Sequence, residues 1–199
     1  LGGGMHRVNR RECNRCGNDC SHRRLREALR DLHRWARGRA HHRGWRRRDW
    51  AALHEERELA YVRLRHLCQQ GLWSVKDFLG DNPYRIFAAH EVAGIADGSM
   101  ATKMTVQFNL FGGTVLKLGT ARHHGPLLDA IDRFDQVGCF ALTELGYGNN
   151  AVEMETQAVY DPASDELVVH TPSTLAQKYW ITNGAVHAHF AVVFARLLV

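Results

Sequence analysis

The period of the apolar residues changes once along this chain, at Gly138, and that change limits the folds open to it. Before Gly138 the spacing is helical. Met100, Met104, Phe108, Phe111 and Val115 recur every three or four residues across 99–118, which puts them on one helix face. Gly112-Gly113 inside that stripe weighs against an unbroken helix. Leu53, Ala60, Leu64 and Leu67 mark a second stripe over about 49–70, with Asp49 as its N-cap and Gly71 as its stop. Asp81-Asn82-Pro83 reads as a turn that starts a helix near Tyr84. Gly125-Pro126 reads as a break before a short amphipathic helix over 127–134. After Gly138 the period is two. Cys139 to Thr143, Met154 to Tyr160 and Leu167 to His170 read as strands, with a turn over 161–165. Residues 177–182 and 185–195 flank Asn183-Gly184, which predicts a tight hairpin. Helices followed by strands, rather than alternating with them, give an α+β fold and argue against a doubly wound nucleotide-binding sheet.

Charge divides the chain differently. Residues 1–50 hold 15 arginines, no lysine and 5 acids, a net +10, so the remaining 149 residues carry −5 of the overall +5. The basic character belongs to the leader, and the body is not a uniformly basic nucleic-acid binder. Residues 22–37 of the leader place Leu25, Leu29, Leu32 and Trp35 on one face of a short helix. With 45% hydrophobic residues the chain is not wholly disordered, and no apolar run is long enough to span a bilayer. Five cysteines, three of them clustered at Cys13, Cys16 and Cys20, do not form a secreted disulfide framework and fit a reducing compartment. The cluster with His22 matches no zinc spacing, and His187 with His189 lacks a third ligand, so no metal site is expected. The arginines, interleaved with Trp35, Trp45 and Trp50, are read as a solvated leader, with anion or RNA binding as the alternative.

Two segments carry chemistry. The first runs from Cys139 to Asn150, Cys-Phe-Ala-Leu-Thr-Glu-Leu-Gly-Tyr-Gly-Asn-Asn. A buried strand ends in Thr143 and Glu144, then enters a loop in which Gly146 and Gly148 let backbone approach a ligand closely. The Thr143 hydroxyl and the loop N–H groups suit the acceptor atoms of a planar heterocycle, and a plain strand-to-loop turn is the alternative. The second runs from Lys178 to Gly184. Alternation puts Trp180 and Thr182 on one face, an indole beside a hydroxyl, which suits an aromatic ligand as well as a sheet core.

These two segments, together with Ala101-Thr-Lys-Met-Thr-Val-Gln-Phe-Asn-Leu-Phe-Gly-Gly113 and in this order, resemble the acyl-CoA oxidase family within the acyl-CoA dehydrogenase superfamily, from about His54 to Val199. The resemblance implies a multidomain acyl-CoA dehydrogenase-like α+β fold, with N-terminal helices followed by an incomplete antiparallel β-barrel domain. Residues 1–50 would be the leader, 51–136 part of the helical domain and 137–199 part of the flavin-binding β-domain. It implies FAD, a fatty acyl-CoA substrate, molecular oxygen as electron acceptor, a homodimer and a peroxisomal setting, although no targeting signal is visible. On this resemblance Thr143 and Thr182 contact the flavin, Phe140 and Trp180 line it, and Asn149 falls on the acyl-CoA side. Leu145 and Asn149-Asn150 depart from the dehydrogenase pattern and favour the oxidase over a dehydrogenase that uses an electron-transfer partner. No residue matches the family's catalytic Glu, and Glu144 is not that base. Because the chain begins at Leu1 and ends in an apolar run, it is expected to be a fragment that is inactive alone. The other class of reading is a non-catalytic remnant whose basic leader binds anions.

Overall fold

The computed structural model describes Arg23, Glu27, Arg30 and residues 52–199. The three leader residues are helical. The rest of the leader, with the Leu25 stripe, the cysteine cluster and Trp35, Trp45 and Trp50, lies outside the described residues, and the helix that follows is capped not by Asp49 but by Ala52, with no side-chain bond. The chain divides into two compact units, Leu1–Ala101 and Thr102–Val199.

In the first unit, α1 spans Leu53–Cys68 and buries Ala60, Leu64, Leu67 and Cys68. Glu55 and Glu56 in its first turn and Arg65 and His66 in its last complement the helix dipole. Leu53 does not join the buried stripe: it is the first helical residue and stands 61% exposed. Gly71, at φ +62°, turns the chain after the helix. A 3-10 helix, Val75–Leu79, follows behind a capping box formed by Ser74 and Asp77. Then α2 (Tyr84–Ala96) starts directly after Pro83, as the Asp-Asn-Pro turn predicts. Asp97 ends α2 and caps the next helix, α3 (Gly98–Thr105): its Oδ1 accepts from the N–H groups of Ser99 (2.9 Å) and Met100 (3.1 Å), and its Oδ2 pairs with Arg63. Among the described residues no helix is long and apolar enough to cross a membrane.

The helical run that starts with α3 does not stop at Gly112-Gly113. It widens into a π-helix over Val106–Gly112 and resumes as α4 (Gly113–Leu118). All five stripe residues are buried, as their spacing requires. Helix α5 covers Ala121–Asp132 and carries Pro126 inside it, so Gly125-Pro126 is not a break. The helix starts earlier because Thr120 and His123 form a capping box: the Thr120 N–H donates to His123 Nδ1 (3.1 Å). That cap offsets part of the bond Pro126 cannot make.

The second unit contains all the strands: β1 (Gly138–Ala141), β2 (Gln157–Asp161), β3 (Glu166–His170), β4 (Phe190–Val193) and β5 (Arg196–Leu198). They form two small sheets, β1 with β4 and the order β3-β2-β5. The expected antiparallel pairing holds only for β2 with β3, across the predicted turn after Asp161. β1 pairs with β4 in parallel, Gly138 opposite Phe190, and β5 pairs with β2 in parallel. The hairpin expected at Asn183-Gly184 does not form. Gly184 does not take the positive φ that a two-residue Asn-Gly turn needs, and Trp180 and His187, which do have positive φ, break the strand on either side. Residues 182–187 are turn, and the chain re-enters extended structure only at Phe190. His187 and His189 therefore do not share a strand face.

Buried polar side chains fix the start of β1. Gln107, wholly buried, accepts from the Gly138 N–H (3.0 Å) and donates to the Gln136 carbonyl (2.7 Å). Asn183, also buried, donates to the Gly138 carbonyl (3.2 Å) and accepts from Lys103 Nζ (2.7 Å). Gly138 has no room for a side chain: a Cβ there would lie 2.1 Å from the Phe111 ring. Gly138→Ala is expected to destabilise the protein by about 1–3 kcal/mol, since a buried ring must shift. A urea denaturation midpoint equal to that of the wild type would contradict this.

Candidate functional site

The strand that leaves Gly138 delivers Phe140 and Thr143 to the site. Phe140, half-buried on β1, packs its ring against Phe194 with centroids 4.7 Å apart. Beyond β1 the chain stays paired, but with a different segment. The Tyr179 N–H donates to the Thr143 carbonyl, the Leu145 N–H to the Gln177 carbonyl and the Gly146 N–H to the Leu175 carbonyl, each at 2.9 Å. Glu144 and Lys178 face each other in an antiparallel bridge. The two segments singled out in the sequence are thus joined, backbone to backbone, at Thr143 and Tyr179.

Glu144 is the electrostatic centre of this junction. It is 2% exposed. Its Oε1 accepts from the Thr156 hydroxyl (2.5 Å), the Thr156 N–H (3.0 Å) and Lys178 Nζ (3.0 Å), and its Oε2 from the Glu155 N–H (2.8 Å). Burial alone would raise its pKa. The donors from Glu155, Thr156 and Lys178 outweigh burial and hold the carboxyl down at about 2. A carboxylate so committed cannot serve as a general base near neutral pH. Around it, the Ser173 and Tyr147 hydroxyls bond Glu155 and keep that carboxylate below its ordinary range.

The two loop glycines divide the roles expected of them. Gly148 takes the left-handed conformation, φ +52°. Gly146 does not, but a Cβ on it would lie 2.7 Å from Leu175, so it serves close approach of the chain to itself. The loop N–H groups are not on offer to a ligand as expected. Leu145 and Gly146 donate across the bridge, and Tyr147 and Gly148 both donate to the Glu144 carbonyl. What remains is side-chain chemistry. Thr143 and Thr182 are half-buried, and among the described residues neither hydroxyl takes part in a hydrogen bond.

Trp180 and Thr182 do not form the expected same-face pair on a strand. Trp180 sits at φ +67° with 83% of its surface exposed, and Thr182 opens the following turn. The indole is free of the core, which removes the reading of Trp180 as a sheet-core residue. Asn149 is exposed in the glycine loop, its carbonyl accepting from the Ala151 N–H (3.0 Å). Sequence reasoning missed Gln107, Glu144 with Lys178, and Asn183 as organisers of the site. Gln107 carried a signal, a polar residue between Val106 and Phe108 inside an apolar helical stripe; Lys178 and Asn183 sit among polar neighbours and carried none.

No protein-family model matches the chain. Peroxisomal acyl-coenzyme A oxidase 2 of Arabidopsis thaliana is 43% identical over 144 residues, 72% of this chain and 21% of that protein. The crystal structure of acyl-CoA oxidase 3 from Yarrowia lipolytica superposes with a TM-score of 0.61 at 32% identity, over 74% of this chain and 21% of that one. Acyl-CoA oxidase 2 of Caenorhabditis elegans, solved with FAD, ascaroside-CoA and ATP, gives a TM-score of 0.53 at 29% identity, over 71% of this chain and 21% of that one. The chain spans about a fifth of the length of these relatives. Its mixed helix-and-sheet fold is similar to theirs.

The lowered pKa of Glu144 has a signed consequence. A carboxyl held below its unfolded value contributes stability that is complete above the ordinary carboxylate range and is lost as pH falls toward about 2. Thermal melting is expected to fall steeply from about pH 4.5 downward. Glu144→Gln should melt lower at pH 7 yet show a flatter acid limb. Parallel acid limbs for the two proteins would assign the loss to other groups.

Proposed function

We infer that this chain, which over its matched residues belongs to the acyl-CoA oxidase family, forms part of the flavin-facing wall of a peroxisomal acyl-CoA oxidase. The reaction is the first step of fatty acid β-oxidation: a fatty acyl-CoA and oxygen give the trans-2-enoyl-CoA and hydrogen peroxide. The observation that carries the reading is the backbone pairing of Thr143 with Tyr179, which joins the family's two flavin-associated segments at a hydroxyl left open for a ligand.

The residues present fit a flavin ring. An isoalloxazine needs polar groups for its edge and apolar faces above and below. The Thr143 and Thr182 hydroxyls are open to such an edge, and Phe140 and Trp180 offer aromatic faces. FAD, when bound, supplies the acceptor for the substrate's hydride, chemistry that no side chain provides. Thr143 and Thr182 would orient the ring, Phe140 and Trp180 would flank it, and Asn149 would lie toward the acyl-CoA. No residue of this chain is assigned as the base that removes the α-proton. On the same reading, residues 51–136 are part of the helical domain and 137–199 part of the middle flavin-binding β-domain, and the full-length protein works as a homodimer in the peroxisome.

Flavin titration followed by fluorescence quenching tests this. The wild-type protein should bind FAD, and Thr143→Ala should weaken binding about tenfold, the equivalent of one hydrogen bond. Equal affinity in the two proteins would remove Thr143 from the site, and no binding by the wild type would sink the flavin reading. In a protein that carries these residues together with the base, peroxide released on adding acyl-CoA distinguishes an oxidase from a dehydrogenase.

A further inference from the structure

Thr143 is gripped from both sides by one side chain. Lys178 Nζ donates to the Leu142 carbonyl (2.9 Å) and to Glu144 Oε1 (3.0 Å), the residues immediately before and after Thr143. The next residue, Tyr179, donates its N–H to the Thr143 carbonyl. Three successive residues are therefore pinned by two. We propose that Lys178 and Glu144 are a positioning pair whose task is to hold the Thr143 hydroxyl in register for its ligand. This rests on the reading of Thr143 as a flavin contact.

Pairing with the buried Glu144 charge accounts for only one of the two bonds that Lys178 makes. The bond to the Leu142 carbonyl does nothing for the carboxylate at all. It ties the end of the β1 segment to residue 178, so that the backbone flanking Thr143 cannot rotate independently of the Tyr179 segment. The loop needs such a tie. It contains Gly146 and Gly148, the residues with the most backbone freedom to lose, directly after the hydroxyl whose direction matters. A displacement of that hydroxyl by about 1 Å is enough to spoil a directional contact. The lysine side chain is 14% exposed and the glutamate side chain 1%, so the tie is shielded from solvent and salt.

The test is a double-mutant cycle in the full chain, with two readouts. The first is hydrogen exchange of the Leu145, Gly146 and Tyr179 amides. Lys178→Met should speed all three at least about tenfold while leaving the Gly119 amide, which bonds the Val115 carbonyl at the end of a helix, unchanged. The second is FAD affinity together with the visible spectrum of the bound flavin. Lys178→Met should weaken FAD about tenfold and shift the spectrum, and Lys178→Arg should restore part of both. Because Lys178 acts through Thr143, adding Lys178→Met to Thr143→Ala should cost little more than Thr143→Ala alone. Additive losses, or a lowered melting temperature with unchanged affinity and spectrum, would overturn the proposal. Should Lys178→Met fail to fold, Glu144→Gln keeps the shape and one acceptor oxygen while removing the charge that Lys178 pairs with, and must give the same pattern at smaller size. A wild-type protein that takes up no FAD would sink the flavin reading, and the exchange arm then decides the tie alone: unchanged rates overturn it, faster rates support it.

Discussion

One amide side chain, Gln107, sets the geometry on which the second unit depends. It satisfies the Gly138 N–H and the Gln136 carbonyl from inside a π-helical turn. A buried backbone group left without a partner costs about 1–3 kcal/mol, so a glutamine that answers two of them is worth more than its packing. It also fixes where β1 begins. Asn183 answers the Gly138 carbonyl from the other side, and Phe111 covers the α-carbon. Gly138 is thus bounded in every direction by side chains. Everything the strand delivers, Phe140 within it and Thr143 just beyond it, inherits its placement from that residue.

The same logic recurs further along the chain. Glu144 does for the glycine loop what Gln107 does for β1: one buried polar side chain satisfies backbone groups of a segment distant in sequence. In both places the helices and sheets supply rigid pieces, and a single hydrogen-bonding side chain sets the register between them. Such networks are exacting, because a partly satisfied buried group is worse than an apolar one. They also explain how a loop with two glycines stays ordered between elements of regular structure.

Much of the helical half was legible in the residues. The Met100 to Val115 stripe is buried throughout, and the turn at Asn82-Pro83 opens its helix at the expected residue. Pro126 misled because a capping box at Thr120 starts its helix one turn sooner than the proline allows by itself. The strand half was less legible. Alternation tells which residues share a face but not which strand they meet, so parallel pairing of β1 with β4 left no mark in the pattern. Asn-Gly ordinarily signals a hairpin, yet the Asn183 side chain is consumed by Lys103 and Gly138, and Gly184 does not join it in the left-handed conformation that the turn needs. The resemblance singled out Thr143 but not the pair that flanks it. Lys178 and Glu144 are adjacent only after folding, 34 residues apart in the chain.

The parallel register of β1 and β4 also sets an order of events. Gly138 meets Phe190 only after about fifty intervening residues have been made and folded back, a closure whose entropy cost cannot be recovered by local contacts. β2 and β3 pair across a short turn within that interval and can form first. During synthesis the apolar segment around Cys139 to Leu142 therefore emerges well before its sheet partner exists. For that interval it is an unpaired, sticky edge, the kind of segment that chaperones bind and that aggregates when they do not.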